Sequence, residues 1–258
     1  MSATLTHSWY MTVRGLRSLA RQPWYIAVSL SQPIIWLLLF GALFKRIVEI
    51  PGFSSGSYLQ FLTPGVLVMT ALFSSGWSGM GFIEDIDRGI MDRFLVSPVR
   101  RPGLTVGSLA YQGITTVIQS VIMIALAVAV GARFPGRVAG GAVAIGAAVL
   151  LAVAFASLSN ALGLLMRQRE SLIAAVQFVV LPLSFLSSAF LQQNLAPSWI
   201  QHVARYNPVN WAVEAGRAAL GASADWGLVG WRMGLLAAFA VACAWAGTSA
   251  FRAYQRSV

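Results

Sequence analysis

The sequence predicts an all-α membrane protein that forms one domain over residues 1–258 and crosses the bilayer six times. Hydrophobic residues make up 57% of the chain and charged residues only 10%, whereas a soluble domain usually has about 25% charged residues. Six segments are also long and apolar enough to span, which takes about 20 residues for each helix. A chain this apolar cannot cover its surface with polar groups, and a surrounding bilayer removes that requirement.

The six predicted transmembrane helices occupy residues 26–44, 61–83, 105–131, 139–166, 171–191 and 231–251. Apart from Arg232 at the start of the last one, none of them contains a charged residue. A carrier coupled to protons or ions normally needs an ionisable group inside the membrane. The sequence therefore argues against ion-coupled transport and favours an apolar or amphipathic cargo.

The basic residues predict the orientation. If the N-terminus is cytoplasmic, the inner segments hold eleven Lys and Arg residues and the outer segments hold six, with Arg232 at an outer helix start. The positive-inside rule then places both termini in the cytoplasm of a multi-pass protein. Because the arginines lie in gaps between long apolar runs, they suit lipid headgroups and indicate no nucleic-acid partner.

Two segments outside the spans have their own helical patterns. Residues 1–25 predict an amphipathic interfacial helix that Pro23 ends, and the alternative is a frayed cytosolic tail. Its two faces are Trp9, Val13, Leu16 and Ala20 on one side, and Arg14, Arg17 and Arg21 on the other. Residues 197–220, between helices five and six, predict a re-entrant helical pair broken at Asn207 and Pro208, with Glu214 in its second half. The alternative there is a loop helix that lies on the outer surface.

The gap between helices two and three is the most informative segment. It holds four of the chain's eight acidic residues, Glu84, Asp85, Asp87 and Asp92. Residues 85–101 predict a short charged helix whose apolar residues share one face and which Pro98 ends. Since an anionic lipid leaflet repels acidic side chains, this helix is expected to dock on a protein partner.

The run from Arg88 to Val106, R-G-I-M-D-R-F-L-V-S-P-V-R-R-P-G-L-T-V, resembles the cytoplasmic loop of type-2 ABC exporter permeases, and in particular their daunorubicin-resistance branch. Gln22-Pro23, Gln32-Pro33 and the outer segment Tyr206-Asn207-Pro208 with Glu214 and Arg217 are also similar to that branch. The one departure in the loop is Asp92, where many members of the family have Glu.

The resemblance implies a function, which we take as an expectation. The chain would be the permease subunit of an exporter in the bacterial cytoplasmic membrane, and it would move a drug, an antibiotic or a lipid outward. A second permease copy, identical or paralogous, would complete the pathway. A cytoplasmic ABC ATPase would dock on the loop as a coupling helix, through Asp87, Arg88, Asp92, Arg93, Phe94, Leu95, Ser97 and Pro98.

The chain itself is not expected to hydrolyse ATP. A P-loop needs Gly-Lys followed by Ser or Thr, and the only lysine, Lys45, stands between Phe44 and Arg46. ATP and Mg²⁺ would therefore bind to the partner subunit. We expect no catalytic residue, cofactor or metal site in this chain.

Five uncharged polar residues lie within the predicted spans: Gln32, Gln112, Gln119, Asn160 and Gln177. Each could either form hydrogen bonds between helices or line a transport pathway. Glycines and serines at four-residue spacing, including Gly136 with Gly140, Gly230 with Gly234 and Ser159 with Gly163, are expected to serve close helix packing.

Two other functions stay open at the level of the sequence. A membrane-embedded enzyme would need a catalytic or metal-binding cluster, for which Glu84, Asp85 and Asp87 are the nearest candidates, although no histidine lies near them. A membrane scaffold that transports nothing would show the same apolar spans.

Overall fold

The structure, a computed structural model, describes residues 3–22, 24–46, 57–90, 102–190, 192–221 and 224–254. Their regular structure is helical, which confirms the all-α prediction. The helices are α1 (Ala3–Arg21), α2 (Trp24–Leu43), α3 (Tyr58–Gly76), α4 (Met80–Asp87), α5 (Pro102–Ala129), α6 (Arg137–Met166), α7 (Arg169–Phe185), α8 (Ser198–Ala204), α9 (Pro208–Leu220) and α10 (Trp226–Tyr254). A short 3₁₀ turn over Gln193–Leu195 precedes α8.

Five stretches in the described part are long and apolar enough to span a membrane. They lie in α2, in α3 with α4, in α5, in α6 and in α10. The sequence predicted a sixth span over residues 171–191, but α7 is a helix of 17 residues that ends at Phe185. The structure therefore gives five candidate spans and one shorter apolar helix.

Side chains from α9 and the residue before it explain why α7 ends early. The amide of Asn207 donates hydrogen bonds to the carbonyl oxygens of Leu183 and Leu186. Beyond them, the backbone N–H of Ser188 donates to Asn210 Oδ1. Backbone groups that a longer helix would pair internally are thus satisfied from outside it, as buried backbone groups must be.

α3 and α4 are parts of one span separated by a break at residues 77–79. The hydroxyl of Ser159, on α6, donates to the carbonyl of Gly76 and accepts from the backbone N–H of Gly79 at 3.0 Å. Glycine is required at both contacting positions. A Cβ on Gly163 would lie 2.6 Å from the carbonyl oxygen of Gly79, and a Cβ on Gly79 would collide with the carbonyl oxygen of Ser159. Ser159 and Gly163 therefore serve the close packing that their spacing predicted.

α6 lies at the centre of the bundle and packs against α3, α5, α9 and α10. Near its start, Gly136 and Gly140 leave room for the last turn of α9, where an added Cβ on either would collide with the carbonyl oxygen of Ala219. Gly230 and Gly234 differ from this expectation, because nothing lies within 4 Å of a Cβ built on either.

α1 lies along the first half of α5. The hydroxyl of Thr12 donates to the carbonyl of Gly107 at 3.2 Å, and Gly15 lies against the ring of Tyr111. This contact uses a third face of α1, formed by Ser8, Thr12, Gly15 and Leu19, between its apolar face and its arginine face.

Gly79→Ala is predicted to destabilise the protein by about 1–3 kcal/mol, the usual range for overpacking. The backbone of Gly79 has φ −63° and ψ −20°, which alanine adopts readily, so the effect would come from the collision with the Ser159 carbonyl alone. The measurement is the thermal unfolding midpoint of the purified protein in detergent.

Gly81→Ala is the matched control, since nothing lies within 4 Å of a Cβ at that position in the same helix. It should leave the midpoint unchanged or raise it, because alanine favours the helix. Equal losses in the two variants would contradict the packing role of Gly79.

Candidate functional site

α4 carries three acidic residues, and each pairs with an arginine. Asp85 bonds Arg14 of α1 at 2.7 Å, and Asp87 bonds Arg169 at the start of α7 at 3.3 Å. Glu84 pairs with Arg88, four residues later in the chain, at 2.5 Å. α4 is thus connected to two other helices at the end where the chain enters residues 91–101.

These ion pairs are partly exposed, so their contribution to stability is small. The side chains of Arg14 and Asp85 are 49% and 23% exposed, and exposed pairs typically contribute about 0–1 kcal/mol. Their role is instead to position the helices, because α1 contacts α4 through Arg14 and α5 through Thr12. α1 therefore bridges the two helices that flank residues 91–101.

The predicted coupling residues fall on both sides of a boundary in the structure. Asp87 is the last residue of α4, Arg88 follows it, and Gly89 turns the chain with a left-handed φ of 64°. Residues 85–87 form the last turn of α4, within the candidate span Tyr58–Asp87. The other six predicted residues lie outside the described residues: Asp92, Arg93, Phe94, Leu95, Ser97 and Pro98.

A cavity of about 580 Å³ opens between α1, α3, α4 and α5. Arg14, Glu84, Asp85 and Arg88 lie at one side of it, and Gln112 is among its walls. The charged residues form two closed pairs, so the cavity has no excess of either charge. This volume is in the range of small-molecule sites, about 300–1,000 Å³.

Three of the five predicted polar residues are buried between helices. Gln112 donates to Ser74 of α3 at 3.2 Å, Gln119 donates to Ser29 of α2 at 3.1 Å, and Asn160 donates to Ser108 of α5 at 3.2 Å. The polar residues of α5 form a stripe along one face: Thr105, Ser108, Gln112, Thr115, Thr116, Gln119 and Ser120. The sequence identified the amides, but not the hydroxyl groups that they bond.

The polar stripe is incompletely satisfied. Gln119 Oε1 and Thr115 Oγ1 of the stripe are buried and have no hydrogen-bond partner among the described residues, and neither does Oδ1 of Asn160, which bonds the stripe from α6. A buried acceptor without a partner costs about 1–3 kcal/mol. The stripe can therefore still accept hydrogen bonds at these positions.

The other two predicted residues, Gln32 on α2 and Gln177 on α7, are exposed on the surface of the chain. α2 contacts the segment that follows α7, because Trp36 and Phe40 of α2 both lie against the ring of Phe190, at 5.6 Å and 5.8 Å between centroids. Two amides thus lie on the exposed, otherwise apolar surface of these two helices.

The predicted outer segment consists of α8 and α9, with Asn207 and Pro208 between them. Pro208 is the first residue of α9, where a missing N–H has no effect on helix bonding. The side chain of Asn207 accepts from the backbone N–H of Val209 and caps the helix. Asn207 therefore joins the start of α9 to the end of α7.

Three charged residues of this region contact the packed bundle, which the sequence did not predict. Arg217 lies 3.7 Å from the centroid of the Phe61 ring and donates to the carbonyl oxygens of Phe61 and Ser188. Glu214 pairs with Arg232 of α10 at 2.7 Å, and both side chains are less than one-fifth exposed. The sequence predicted that Arg217 lies in an outer segment. Its contacts could not be predicted, because Phe61 and Ser188 are far from it along the chain.

Among the described residues, no group of three His, Cys, Asp or Glu side chains is arranged to hold a metal ion. The acidic residues of α4 are instead engaged with arginines. The arrangement that the described chain offers is thus one of connected helices and a polar stripe.

Comparison with known proteins adds independent information. The model of the ABC-2 type transporter family matches residues 6–220. The daunorubicin resistance ABC transporter permease protein DrrB1 of Streptomyces coeruleorubidus is 31% identical over 240 residues, which cover 92% of this chain and 80% of that protein. The ycf38 protein of Cyanophora paradoxa, named as a transport permease, is 32% identical over 197 residues, 76% of this chain and 68% of that protein.

A more distant relative is the DrrC protein of Mycobacterium tuberculosis, named as a doxorubicin resistance ABC transporter permease. It is 24% identical over 195 residues, which cover 75% of this chain and 70% of that protein. The family match includes α2 to α9 and nearly all of α1. The chain therefore belongs to the ABC-2 type transporter family, the family that its inner loop and outer segment resemble.

Proposed function

We propose that the chain is the membrane-spanning permease subunit of an ATP-driven exporter in the bacterial cytoplasmic membrane. A separate cytoplasmic ATPase would supply the energy, and the cargo would be a hydrophobic or amphipathic compound. The observation that carries this proposal is the connection of α4 and α5 through α1. In a family of ABC transporters, these are the helices that would receive a partner's motion.

The ion pairs support the proposed orientation. Arg14, Asp85, Asp87 and Arg169 meet at one end of the bundle, and all four belong to segments that the basic-residue count assigns to the cytoplasm. α9 packs near the start of α6, at the opposite end. Both termini would then be cytoplasmic, and α8 with α9 would form the outer re-entrant pair.

A layout of six spans follows if α7 crosses the bilayer together with residues 186–190. α7 begins beside α4 through Arg169 and Asp87, and residues 186–190 reach the outer segment through Asn207 and Asn210. A short helix can span when non-helical backbone at its end is satisfied by protein. The bonds from these two asparagines satisfy that condition.

The mechanism would use α4 as a lever. Its first turn is held on α6 by Ser159 and Gly163, so that point would be the pivot. Its other end is joined to α1 and α7 by ion pairs. A displacement of residues 91–101 by the ATPase would therefore move α1, the start of α5 and the start of α7 together.

The exposed amides favour a second permease copy beside α2 and α7. An amide that faces hydrocarbon without a hydrogen-bond partner is costly. Gln32 and Gln177 would avoid that cost if they faced the second copy of the permease or a polar pathway. The second copy could be identical or a paralogue. Lipid would cover the remaining apolar surface.

The cargo class follows from the polar stripe of α5. Its side chains are uncharged, and two of its buried oxygens, together with that of Asn160 on α6, have no partner among the described residues. These groups suit a molecule with hydroxyl or amine donors and large apolar surfaces. The names of DrrB1 and DrrC point to anthracycline drugs, which we propose as the first cargo to test.

The function is tested by producing the chain together with a candidate P-loop ATPase, sought first in the neighbouring reading frames, and preparing inside-out vesicles. The proposal predicts ATP-dependent uptake of daunorubicin that needs both subunits and stops when the ATPase P-loop lysine is replaced. An ATPase whose hydrolysis rate and membrane association are unaffected by this chain would contradict the permease function and favour a scaffold.

Asp85→Asn is predicted to reduce transport about fivefold, the factor equivalent to ~1 kcal/mol, while the partner continues to hydrolyse ATP. The reason is the loss of the bond between α4 and α1. Uptake and ATP hydrolysis are measured in the same vesicles.

Glu84→Gln is the control for this variant, since it removes a carboxylate that pairs only with the nearby Arg88 among the described ion pairs. It should transport normally. The exchange Arg14→Asp with Asp85→Arg should restore coupling. Equal defects in both single variants, with no recovery in the exchange, would show that the pair does not transmit motion.

Gln177→Cys is predicted to cross-link two copies of the chain in the membrane. The experiment uses a chain in which Cys243, its single cysteine, is replaced by serine. A short thiol cross-linker should give a covalent dimer on a denaturing gel. Val121→Cys, also at an exposed position, serves as the lipid-facing control and should remain monomeric; equal yields would contradict the interface.

A further inference from the structure

The three arginines on one face of α1 differ in whether they have a partner. Arg14 bonds Asp85. Arg17 and Arg21 are exposed, and their side chains have no acidic or hydrogen-bonding partner in the part of the chain that the structure describes. The three carboxylates of α4 are already paired with other arginines. Two cations are thus available to a ligand from outside the chain.

These two arginines line a depression of about 470 Å³ on α1 together with Arg14, Ser18 and Gln22. The larger cavity between α1 and α4 shares Arg14, Ser18 and Gln22 with it. A ligand bound at Arg17 and Arg21 would therefore lie beside the ion pair that joins α1 to α4. Hydroxyl and amide donors at its edge would suit a phosphate and its polar substituents.

The neighbouring faces of α1 indicate that the ligand has apolar chains. Trp9 and Tyr10 are 63% and 67% exposed, and Trp24 at the start of α2 is 62% exposed. Aromatic residues of this kind concentrate at the level of lipid headgroups. Val28, one turn further along α2, is 59% exposed as well. Cations, a polar depression and exposed apolar side chains thus follow one another along the end of α1 and the start of α2.

We propose that the face of α1 formed by Arg17, Arg21, Ser18 and Gln22 binds an anionic phospholipid of the inner leaflet. The phosphate would lie between the two guanidinium groups, which bind phosphate oxygens in fork geometry. The acyl chains would follow the exposed side chains of Trp24 and Val28 on α2. An acidic surface of the ATPase would satisfy the arginines but not these apolar side chains, so the lipid is the better fit.

The inference rests on the proposed cytoplasmic position of α1 but not on transport. Because the same helix contacts α4 and α5, a bound lipid would attach the membrane surface to the helices that flank residues 91–101. The site would make the permease sensitive to the anionic lipid content of the inner leaflet.

The experiment measures lipid binding by the full-length chain alone, without the ATPase, using native mass spectrometry. The purified protein is titrated with phosphatidylglycerol and, separately, with phosphatidylcholine of the same acyl chains. The proposal predicts selective retention of phosphatidylglycerol. Arg17→Gln with Arg21→Gln should weaken it about 30-fold, and Arg17→Lys with Arg21→Lys should retain most of it.

A variant with Arg133→Gln and Arg205→Gln is the charge-matched control, since both residues are exposed and lie outside the α1 depression. It should bind phosphatidylglycerol as the unmodified chain does. Equal weakening of lipid binding in the two double variants would show that binding depends only on net charge, and it would overturn the proposal. Unchanged binding in the α1 variant would overturn it as well. In a separate titration, displacement of phosphatidylglycerol from the unmodified chain by added ATPase would assign the arginines to that subunit instead.

Discussion

The close contact between α6 and the break that separates α3 from α4 is the constraint on which the rest of the arrangement depends. The Ser159 hydroxyl occupies a backbone donor and a backbone acceptor at the break, and Gly163 leaves room for the carbonyl of Gly79. α4 consequently leaves the bundle in a direction that brings Asp85 to α1 and Asp87 to α7. Without this contact a continuous helix would carry those carboxylates elsewhere.

At the other end of the bundle, side chains again form hydrogen bonds with backbone groups that a regular helix would pair internally. Asn207, Asn210 and Arg217 take up backbone groups at and after the end of α7. The cation of Arg217 is accommodated by a ring face and two carbonyl oxygens. Side chains from α9 and the residue before it thus satisfy the backbone where α7 ends.

Much of the fold could be predicted because it depends on local composition. Apolar runs predict spans wherever they are long enough, and the arginine periodicity of residues 14–21 predicts an amphipathic helix without knowledge of its neighbours. The early end of α7 could not be predicted, because its cause lies at Asn207, more than 20 residues further on. The partners of Asp85 and Ser159 lie 71 and 83 residues away, and no spacing rule connects such positions. The buried amides were visible in the sequence, but whether each faces a neighbour or the surface depends on helix rotation.

The central claim is that α4 pivots on α6 and moves with α1. It is tested most directly by pulsed electron resonance distances in the assembled transporter, using spin labels on a cysteine-free chain. One label pair, at Ser18 and Ile86, joins α1 to the far end of α4, and the other, at Ile86 and Leu165, joins that same end of α4 to the end of α6. The account predicts that vanadate trapping of the ATPase changes the second distance and preserves the first. A changed first distance with an unchanged second one would contradict it.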